Sequence, residues 1–132
     1  MRAVIDTNVV FEGLTKHGVC GQIMDAWVAR RFTPCASAAL ALEYEEVLGS
    51  KLASRREQAL LALQALLDRA EYVPIYFLTR PLSPDADDDF LIECAFNASA
   101  LLVTRNRRDL IVARDVLGIS VLNPEAFLLA LG

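Results

Sequence analysis

Short apolar runs along the chain alternate with longer segments in which apolar residues recur at helical spacing. The apolar runs predict strands at residues 3–5, 32–35, 73–77, 101–104 and 119–122. The segments between them predict helices at residues 22–30, 37–48, 55–70, 86–97 and 106–113, with a last helix after Pro124. Because strands alternate with helices and read as nearly continuous apolar runs, the pattern predicts an α/β fold around a parallel sheet.

Local signals mark several helix ends. Ser37 is a candidate N-cap for the helix that follows it. The sequence Ser-Arg-Arg-Glu at 54–57 matches a capping box and is expected to open a Leu-rich helix. Asn123 is expected to cap the last helix, since Pro124 suits a first helical turn. Two prolines predict a loop at residues 80–85.

The bulk composition bounds the class of protein. A chain of 132 residues that is 55% hydrophobic can bury one core, so a single domain over residues 1–132 is expected. No apolar run reaches the roughly 18 residues of a transmembrane helix, and the opening residues, which soon meet Asp6, do not fit a signal peptide. A cytoplasmic protein without membrane contact is expected, with its three widely spaced cysteines reduced.

The distribution of charge changes the picture that the net charge gives. A formal net charge of −4 argues against strong nucleic-acid binding by bulk charge. Eleven of the thirteen basic residues are Arg, however, and several lie in clusters at 30–31, 55–56 and 105–108. Because Arg suits bidentate phosphate contact better than Lys does, the chain can still hold a nucleic acid locally.

Four acidic residues are candidates for one pocket. Asp6 comes directly after the first strand, and Asp109 comes just after the strand that ends at Thr104. Because ligands bind at the carboxyl ends of the strands in an α/β sheet, Asp6 and Asp109 are expected to converge there. Glu43 and Asp88 are expected on flanking helices.

Helical phase separates Glu43 and Asp88 from the acids around them. Glu43 falls at the edge of an apolar stripe formed by Leu40, Tyr44, Val47 and Leu48. In the acidic run at 85–89, Asp88 lies near the apolar edge of its helix and is the inward candidate. The neighbouring acids expected on the solvent side are Glu45, Glu46, Asp89 and Glu93.

Each acid also has a simpler explanation, which the sequence alone leaves open. Asp6 can cap the next helix, and Glu43 can be a residue at the boundary of the core. The run at 85–89 suits a helix N-terminus through the dipole, and Asp109 can form a surface salt bridge with neighbouring arginines. If the four converge, two unit charges about 4 Å apart repel by roughly 4 kcal/mol at an effective dielectric near 20. A proton or a bound cation must then relieve the repulsion.

The donor types restrict which cation and which chemistry are possible. An all-oxygen site selects Mg²⁺ or Mn²⁺ over Zn²⁺, which prefers nitrogen and sulfur ligands. The single histidine, His17, is expected in a loop and argues against both a zinc enzyme and a Ser-His-Asp triad. The chain also lacks a glycine-rich phosphate loop.

Four motifs in order resemble those of the PIN-domain (PilT N-terminal) nuclease family. Val-Ile-Asp-Thr-Asn at 4–8 looks like the opening motif, and Ser37 with Leu-Glu-Tyr-Glu-Glu-Val-Leu at 42–48 looks like the Glu-bearing helix. The third motif is an Asp followed after seven residues by Ala, at 88–95, and the closing motif resembles residues 102–110. Among PIN proteins, the chain is most similar to toxins of type II toxin–antitoxin pairs.

The resemblance implies a three-layer α/β/α sandwich and a metal-dependent endoribonuclease that hydrolyses RNA phosphodiester bonds. It implies one or two Mg²⁺ or Mn²⁺ ions held by the catalytic acids Asp6, Glu43, Asp88 and Asp109. The implied supporting residues are Thr7, Asn8, Thr104 and Asn106, and the implied RNA-binding residues are Arg105, Arg107 and Arg108. Many members carry Asp where this chain has Asn106, so the fourth acid is assigned to Asp109 and the number of metals stays open.

The Leu-rich helix has an apolar arc broad enough for a partner as well as the core. The arc consists of Leu60, Leu61, Leu63, Leu66 and Leu67. It predicts either a homodimer contact or a groove for an antitoxin peptide, in addition to the RNA substrate.

Three other functions compete with the nuclease. The first is a catalytically degenerate PIN-like scaffold that binds RNA or protein, which Asn106 favours. The second is a haloacid-dehalogenase-type phosphatase, which needs a second Asp where this chain has Asn8. The third is a phosphoacceptor signalling domain, which needs a lysine near the pocket, and neither Lys16 nor Lys51 is expected there.

Overall fold

Short parallel strands that alternate with helices form the frame of the protein. The structure is a computed structural model that describes residues 1–78 and 86–132, with the backbone alone at 86, 87, 107–109 and 112. The strands are β1 (Arg2–Ile5), β2 (Thr33–Ala36), β3 (Glu71–Tyr72), β4 (Leu101–Val103) and β5 (Val121–Leu122). The helices are α1 (Thr7–Thr15), α2 (Val19–Val28), α3 (Ala38–Lys51), α4 (Arg56–Leu67), α5 (Ala86–Ala98), α6 (Arg107–Leu117) and α7 (Pro124–Leu131).

The sheet has the order β3-β2-β1-β4-β5, and every pair of neighbours is parallel. In the middle of the sheet, Val4 lies opposite Leu102 and Ile5 opposite Val103. The chain adds β2 and β3 on one side of β1 and then crosses to add β4 and β5 on the other. The direction therefore reverses between β1 and β4, and the crevice at their carboxyl ends is where such sheets bind ligands.

Helices cover the sheet, which explains why its strands are so apolar. Ala3, Val4 and Leu102 are fully buried, and α5 packs across β1, β2 and β4. Away from α5, Trp27 on α2 contacts Phe32 edge-on, and Phe32 contacts Phe127 on α7 with ring centroids 5.0 Å apart. The predicted α/β/α sandwich with a central parallel sheet is confirmed.

Two of the predicted helix caps are present. The Ser37 hydroxyl accepts a hydrogen bond from the Leu40 N–H at 3.2 Å and begins α3. The Asn123 side chain accepts one from the Ala126 N–H at 2.7 Å, and Pro124 is the first residue of α7. Short polar side chains at these positions satisfy N–H groups that the first turn of a helix leaves unpaired.

The capping box predicted at Ser54 is wrong. Helix α3 continues past Gly49 to Lys51, and a 3₁₀ turn spans Ala53–Arg55. Ser54 lies inside that turn, so α4 begins at Arg56, and no side chain caps it. The longer α3 leaves too few residues for the extended N-cap geometry that a capping box needs.

The strand predicted at 73–77 is also wrong. Strand β3 ends at Tyr72, and the last sheet hydrogen bond runs from the Val73 N–H to the Ala36 carbonyl at 3.0 Å. Pro74 has no N–H with which to continue the ladder. The Tyr76 N–H donates instead to the Asn97 side chain on α5.

The remaining helix ends, the single histidine and the cysteines can also be compared with the predictions. The pattern did not single out α1, whereas α6 runs four residues beyond its predicted end at 113, to Leu117. Gly118, with φ +71°, ends α6 in the left-handed conformation that Gly adopts without strain. As expected, His17 lies in the loop between α1 and α2 and the three cysteines are free. All three cysteines are also buried. Among the helices that the structure describes, none is both long and apolar enough to cross a membrane.

Gly13 lies where α1 packs closely against α2, and this contact generates a prediction about stability. A Cβ at this position would lie 2.5 Å from Met24 Cγ and 2.6 Å from the Cys20 carbonyl oxygen. In an open helix, Gly→Ala stabilises by about 1 kcal/mol. Here we expect Gly13→Ala to lower the free energy of unfolding by about 1–3 kcal/mol, because the backbone of α2 must shift. Urea denaturation, followed by the fluorescence of the single Trp, measures the change.

Gly49 provides the matched control, since it also lies inside a helix. A Cβ there would meet the guanidinium of Arg56 at 2.6 Å, and that side chain is exposed and can move aside. Gly49→Ala should therefore be neutral or stabilising. Equal effects of the two substitutions would contradict a close contact between the helices at Gly13.

Candidate active site

Asp6 lies where β1 ends and α1 begins, and its backbone joins the two middle strands. Its N–H donates to the Val103 carbonyl at the end of β4 at 2.9 Å. Its Oδ1 accepts a hydrogen bond from the Asn8 N–H at 3.3 Å, so Asp6 is the N-cap of α1. The capping explanation is therefore correct, but it accounts for only one of the two carboxylate oxygens.

The other oxygen of Asp6 is held by Thr104, the residue that follows β4. The Thr104 hydroxyl donates to Asp6 Oδ2 at 2.6 Å and accepts a hydrogen bond from the Asn106 N–H at 2.9 Å. Thr104 is fully buried. Such a short hydrogen bond to a carboxylate is charge-assisted and fixes the orientation of the acid at the crevice between β1 and β4.

Tyr44 attaches α3 to the same point. Its side chain is buried, and its hydroxyl donates to the carbonyl of Ile5, the residue before Asp6. Burial raises the pKa of Tyr44 well above its usual value, so the hydroxyl keeps its proton and remains a donor. This contact fixes α3 at the end of β1, and Glu43 is the residue of α3 that precedes Tyr44.

Three of the four predicted acids meet at one cavity of about 170 Å³. The described residues that line it are Asp6, Thr7, Asn8, Glu43, Val47, Lys51, Asp88 and Leu91. Asp6 and Asp88 are buried, and Glu43 is half-buried. Among the described side chains, no group of three or more Asp, Glu, His or Cys residues is arranged so that it could hold a metal ion. The cavity brings together acids from three separate elements of the chain.

For the fourth predicted acid and two of the predicted arginines, the structure describes only the backbone. Asp109, Arg107 and Arg108 belong to the first turn of α6, and their side chains are outside the described residues. Their proposed roles stay predictions.

The supporting residues predicted from the motifs surround Asp6. Thr7 and Asn8 line the cavity, and Thr104 lies behind Asp6. Asn106 is exposed and contributes its backbone N–H to the Thr104 hydroxyl. The residues are thus close to the predicted centre, and their roles there stay predictions.

The predicted phase of α3 is confirmed, whereas that of α5 is wrong in part. On α3, Glu45 and Glu46 are exposed, as expected. On α5, Asp89 and Glu93 were expected on the solvent side, but they are only 4% and 3% exposed. Helix α5 packs against the sheet and also contacts α3 and α6, so residues well away from its apolar stripe are enclosed too.

Arg105, predicted to bind RNA, is engaged in ion pairs within the protein. Its guanidinium donates to Glu12 on α1 at 3.1 Å and to Glu125 on α7 at 3.0 Å. Hydrogen bonds from the Cys20 thiol and from Arg105 lower the pKa of Glu12, while burial and the bond to Glu12 raise the pKa of Cys20 to about 11. The arrangement links α1 to α7 and does not favour the predicted phosphate contact.

Lys51 is the residue that sequence reasoning missed. It lines the cavity, although it was expected to lie away from the pocket. A signal was present, because Glu43, Val47 and Lys51 are spaced four residues apart and therefore share one face of α3. The expectation that no lysine lies near the acids was thus wrong. The absence of a lysine therefore no longer argues against a phosphoacceptor domain.

Comparison with known proteins identifies the family. A family model described as PIN domain matches residues 2–108, which is most of the chain. The protein therefore belongs to the PIN-domain family, and the resemblance drawn from its four motifs is confirmed. This membership gives no support to the haloacid-dehalogenase and phosphoacceptor alternatives. No curated protein matches the chain significantly in sequence.

Several solved structures share the fold at low sequence identity. VapBC2 from Rickettsia felis, bound to a DNA fragment from its promoter, has 17% identity and a TM-score of 0.68, over 93% of this chain and 98% of that one. PAE2754 from Pyrobaculum aerophilum has 15% identity and a TM-score of 0.68, over 99% and 89%. DNA-bound VapBC from Salmonella typhimurium has 18% identity and a TM-score of 0.63, over 94% and 98%. At these identities the likeness supports the fold.

The bond between Thr104 and Asp6 generates a prediction that needs no activity assay. Thr104→Val keeps the shape of the side chain but removes the donor to a buried carboxylate. Because hydrogen bonds to charged groups contribute about 1.5–3 kcal/mol, we expect the free energy of unfolding to fall by that amount. Urea denaturation measures it, and Thr104→Ser, which retains the hydroxyl, should lose less. A Val variant at least as stable as the Ser variant would contradict this account.

Proposed function

We propose that the protein is a metal-dependent endoribonuclease that hydrolyses RNA phosphodiester bonds at the acidic cavity. One observation carries the proposal. Asp6, Glu43 and Asp88 come from three separate parts of the chain and line a single cavity. Asp6 follows β1, so the cavity lies at the carboxyl ends of the strands, where the strand order of the sheet reverses between β1 and β4. Helix capping and solvated helix faces do not require three carboxylates in one cavity, and like charges close together oppose folding.

The chemistry of the lining residues fits a hard cation. The described donors are carboxylate, hydroxyl and amide oxygens, which are the ligands that Mg²⁺ and Mn²⁺ prefer. A cation bound there would offset repulsion among the three carboxylates. Asp109, at the start of α6, is proposed as the fourth acid on the strength of its sequence position.

The residues of the chain hold the acids ready for such an ion. The Thr104 hydroxyl and the Asn8 N–H each bond one oxygen of Asp6, so its carboxylate needs little reorganisation. Glu43 and Asp88 project from helices rather than loops, which limits their movement. A divalent ion bound there would polarise a phosphoryl oxygen and make water a stronger nucleophile at neutral pH.

We further propose that the enzyme is the toxin of a toxin–antitoxin pair and that an antitoxin segment binds along α4. Two cavities, of about 530 and 480 Å³, flank α1 and α4 and share Leu14 and Ala62. The predicted Leu arc divides between core and surface, because Leu63 is buried whereas Leu61 is exposed. The similar VapBC structures support a partner of this kind, and the homodimer stays a prediction.

A catalytically inactive scaffold is the second candidate, and Asn106 is the observation that favours it. Many PIN domains carry an acid at this position, and a neutral amide contributes no charge toward a second cation. An inactive scaffold would still bind a cation at the three acids, so metal binding and RNA cleavage must be measured separately.

Glu43→Gln tests the proposed function, with Glu46→Gln as its matched control. Both acids lie on α3, but Glu43 lines the cavity and Glu46 is exposed. We expect Mn²⁺ or Mg²⁺ to raise the Tm of wild type and of Glu46→Gln, since a ligand at 100 times its Kd stabilises by about 2.7 kcal/mol. Glu43→Gln should show a smaller rise, which differential scanning fluorimetry measures with and without EDTA.

Cleavage of a mixed RNA pool is the second measurement on the same variants. Wild type and Glu46→Gln should cleave RNA with Mn²⁺ or Mg²⁺ and not with EDTA, whereas Glu43→Gln should be slower by about 10–100-fold. A Tm rise that depends on Glu43 but brings no cleavage would favour the inactive scaffold. A Tm that does not respond to either metal would contradict the metal site itself.

A further inference from the structure

Lys51 is a cation placed at an acidic cavity, and the nuclease proposal does not use it. Among the lining residues that the structure describes, it shares the cavity with three acids, Asp6, Glu43 and Asp88. Lys51 is also the last residue of α3, and its side chain is exposed. Its ammonium can therefore be reached from solvent at the edge of the cavity.

Two contacts of the ammonium are to neutral groups. Its Nζ lies 3.4 Å from the amide oxygen of Asn8 and 4.9 Å from the centroid of the Phe11 ring. An amide oxygen and an aromatic face attract a cation without cancelling its charge. The Lys51 ammonium is thus oriented by two contacts at the solvent-exposed edge of the cavity.

A polyanionic substrate needs such a charge at this position. Three carboxylates around the cavity repel RNA phosphates, and the net charge of −4 supplies no general attraction. Cations bound in the cavity would neutralise the acids there but would not attract the phosphates of the strand outside the cavity. A lysine at the edge of the cavity can compensate the charge of a phosphate next to the bond that is cut.

We propose that Lys51 binds a backbone phosphate of the RNA strand and so positions the strand over the acidic cavity, an inference that rests on the proposed nuclease function. Asn8 and Phe11 hold the ammonium toward the strand. Lys51 is therefore a substrate-binding residue that accounts for how a net-acidic protein retains RNA at a negatively charged site.

A purely structural role makes a different prediction. A lysine in the last turn of a helix interacts favourably with the helix dipole, and its contact with Phe11 adds to stability. Replacing Lys51 would then lower the Tm and leave RNA affinity and its salt dependence unchanged. Lys16, the other lysine of the chain, is exposed at the C-cap of α1 and gives a matched control, since it also lies at a helix end.

The test compares Lys51→Gln, Lys51→Arg and Lys16→Gln for binding of a fluorescent single-stranded RNA in EDTA, where proposed cleavage stops. A single-strand phosphate contact contributes about 0.7 to the slope of log Kd against log salt, or about 5-fold in Kd at 0.1 M salt. We expect Lys51→Gln to lose that amount, Lys51→Arg to retain it, and Lys16→Gln to match wild type. With Mn²⁺ or Mg²⁺, Lys51→Gln should raise KM more than it lowers kcat.

The outcomes separate this inference from the nuclease proposal. A wild type that cleaves RNA, with the Lys51→Gln slope and KM unchanged, would overturn the role of Lys51 and leave the nuclease standing. Equal losses in Lys51→Gln and Lys16→Gln would overturn it as well, because they indicate diffuse surface attraction. A wild type that binds RNA through Lys51 but does not cleave it would support the contact and overturn the nuclease. A wild type that neither binds RNA in EDTA nor cleaves it with Mn²⁺ or Mg²⁺ would overturn both.

Discussion

The hydrogen bond from the Thr104 hydroxyl to Asp6 joins the ends of the two middle strands, and most of the candidate site depends on it. Asp6 also bonds β4 through its N–H and caps α1 through its other oxygen. Tyr44 then attaches α3 one residue earlier, at the Ile5 carbonyl. One short segment thus sets the positions of two strands and two helices and orients a carboxylate. Changes at this junction are expected to affect stability and chemistry together.

The charged residues around the junction divide into two groups with different uses. Arg105 is held between Glu12 and Glu125 and links α1 with α7, and such exposed pairs contribute little stability individually. The acids of the cavity come close to one another, as the proposed cation site requires. Lys51 stands between these groups, close to acids yet held by neutral contacts. The balance of charge at the cavity is therefore local and is not visible in the net charge.

Most of the fold and three members of the acidic set could be predicted from the sequence, for identifiable reasons. Buried strands read as apolar runs, and Ser37 and Asn123 act through bonds to residues only three positions away. The errors have equally specific causes. Ser54 could not act as a cap because α3 ran on past Gly49, and β3 stopped early because Pro74 lacks an N–H. Asp89 and Glu93 are buried because several elements surround α5, which no periodicity along one helix encodes.

The sequence by itself determined the parallel α/β class, the PIN family and the positions of Asp6 and Thr104 at strand ends. These follow from apolar periodicity and from motifs in which neighbouring residues act together. Only the tertiary structure decided which charges meet. Tertiary packing places Lys51 at the cavity that the acids line, and it pairs Arg105 with Glu12 and Glu125. These residues are far apart in the chain. Electrostatic energy depends on distance in space, and distance in space between separate helices is set by packing rather than by local sequence.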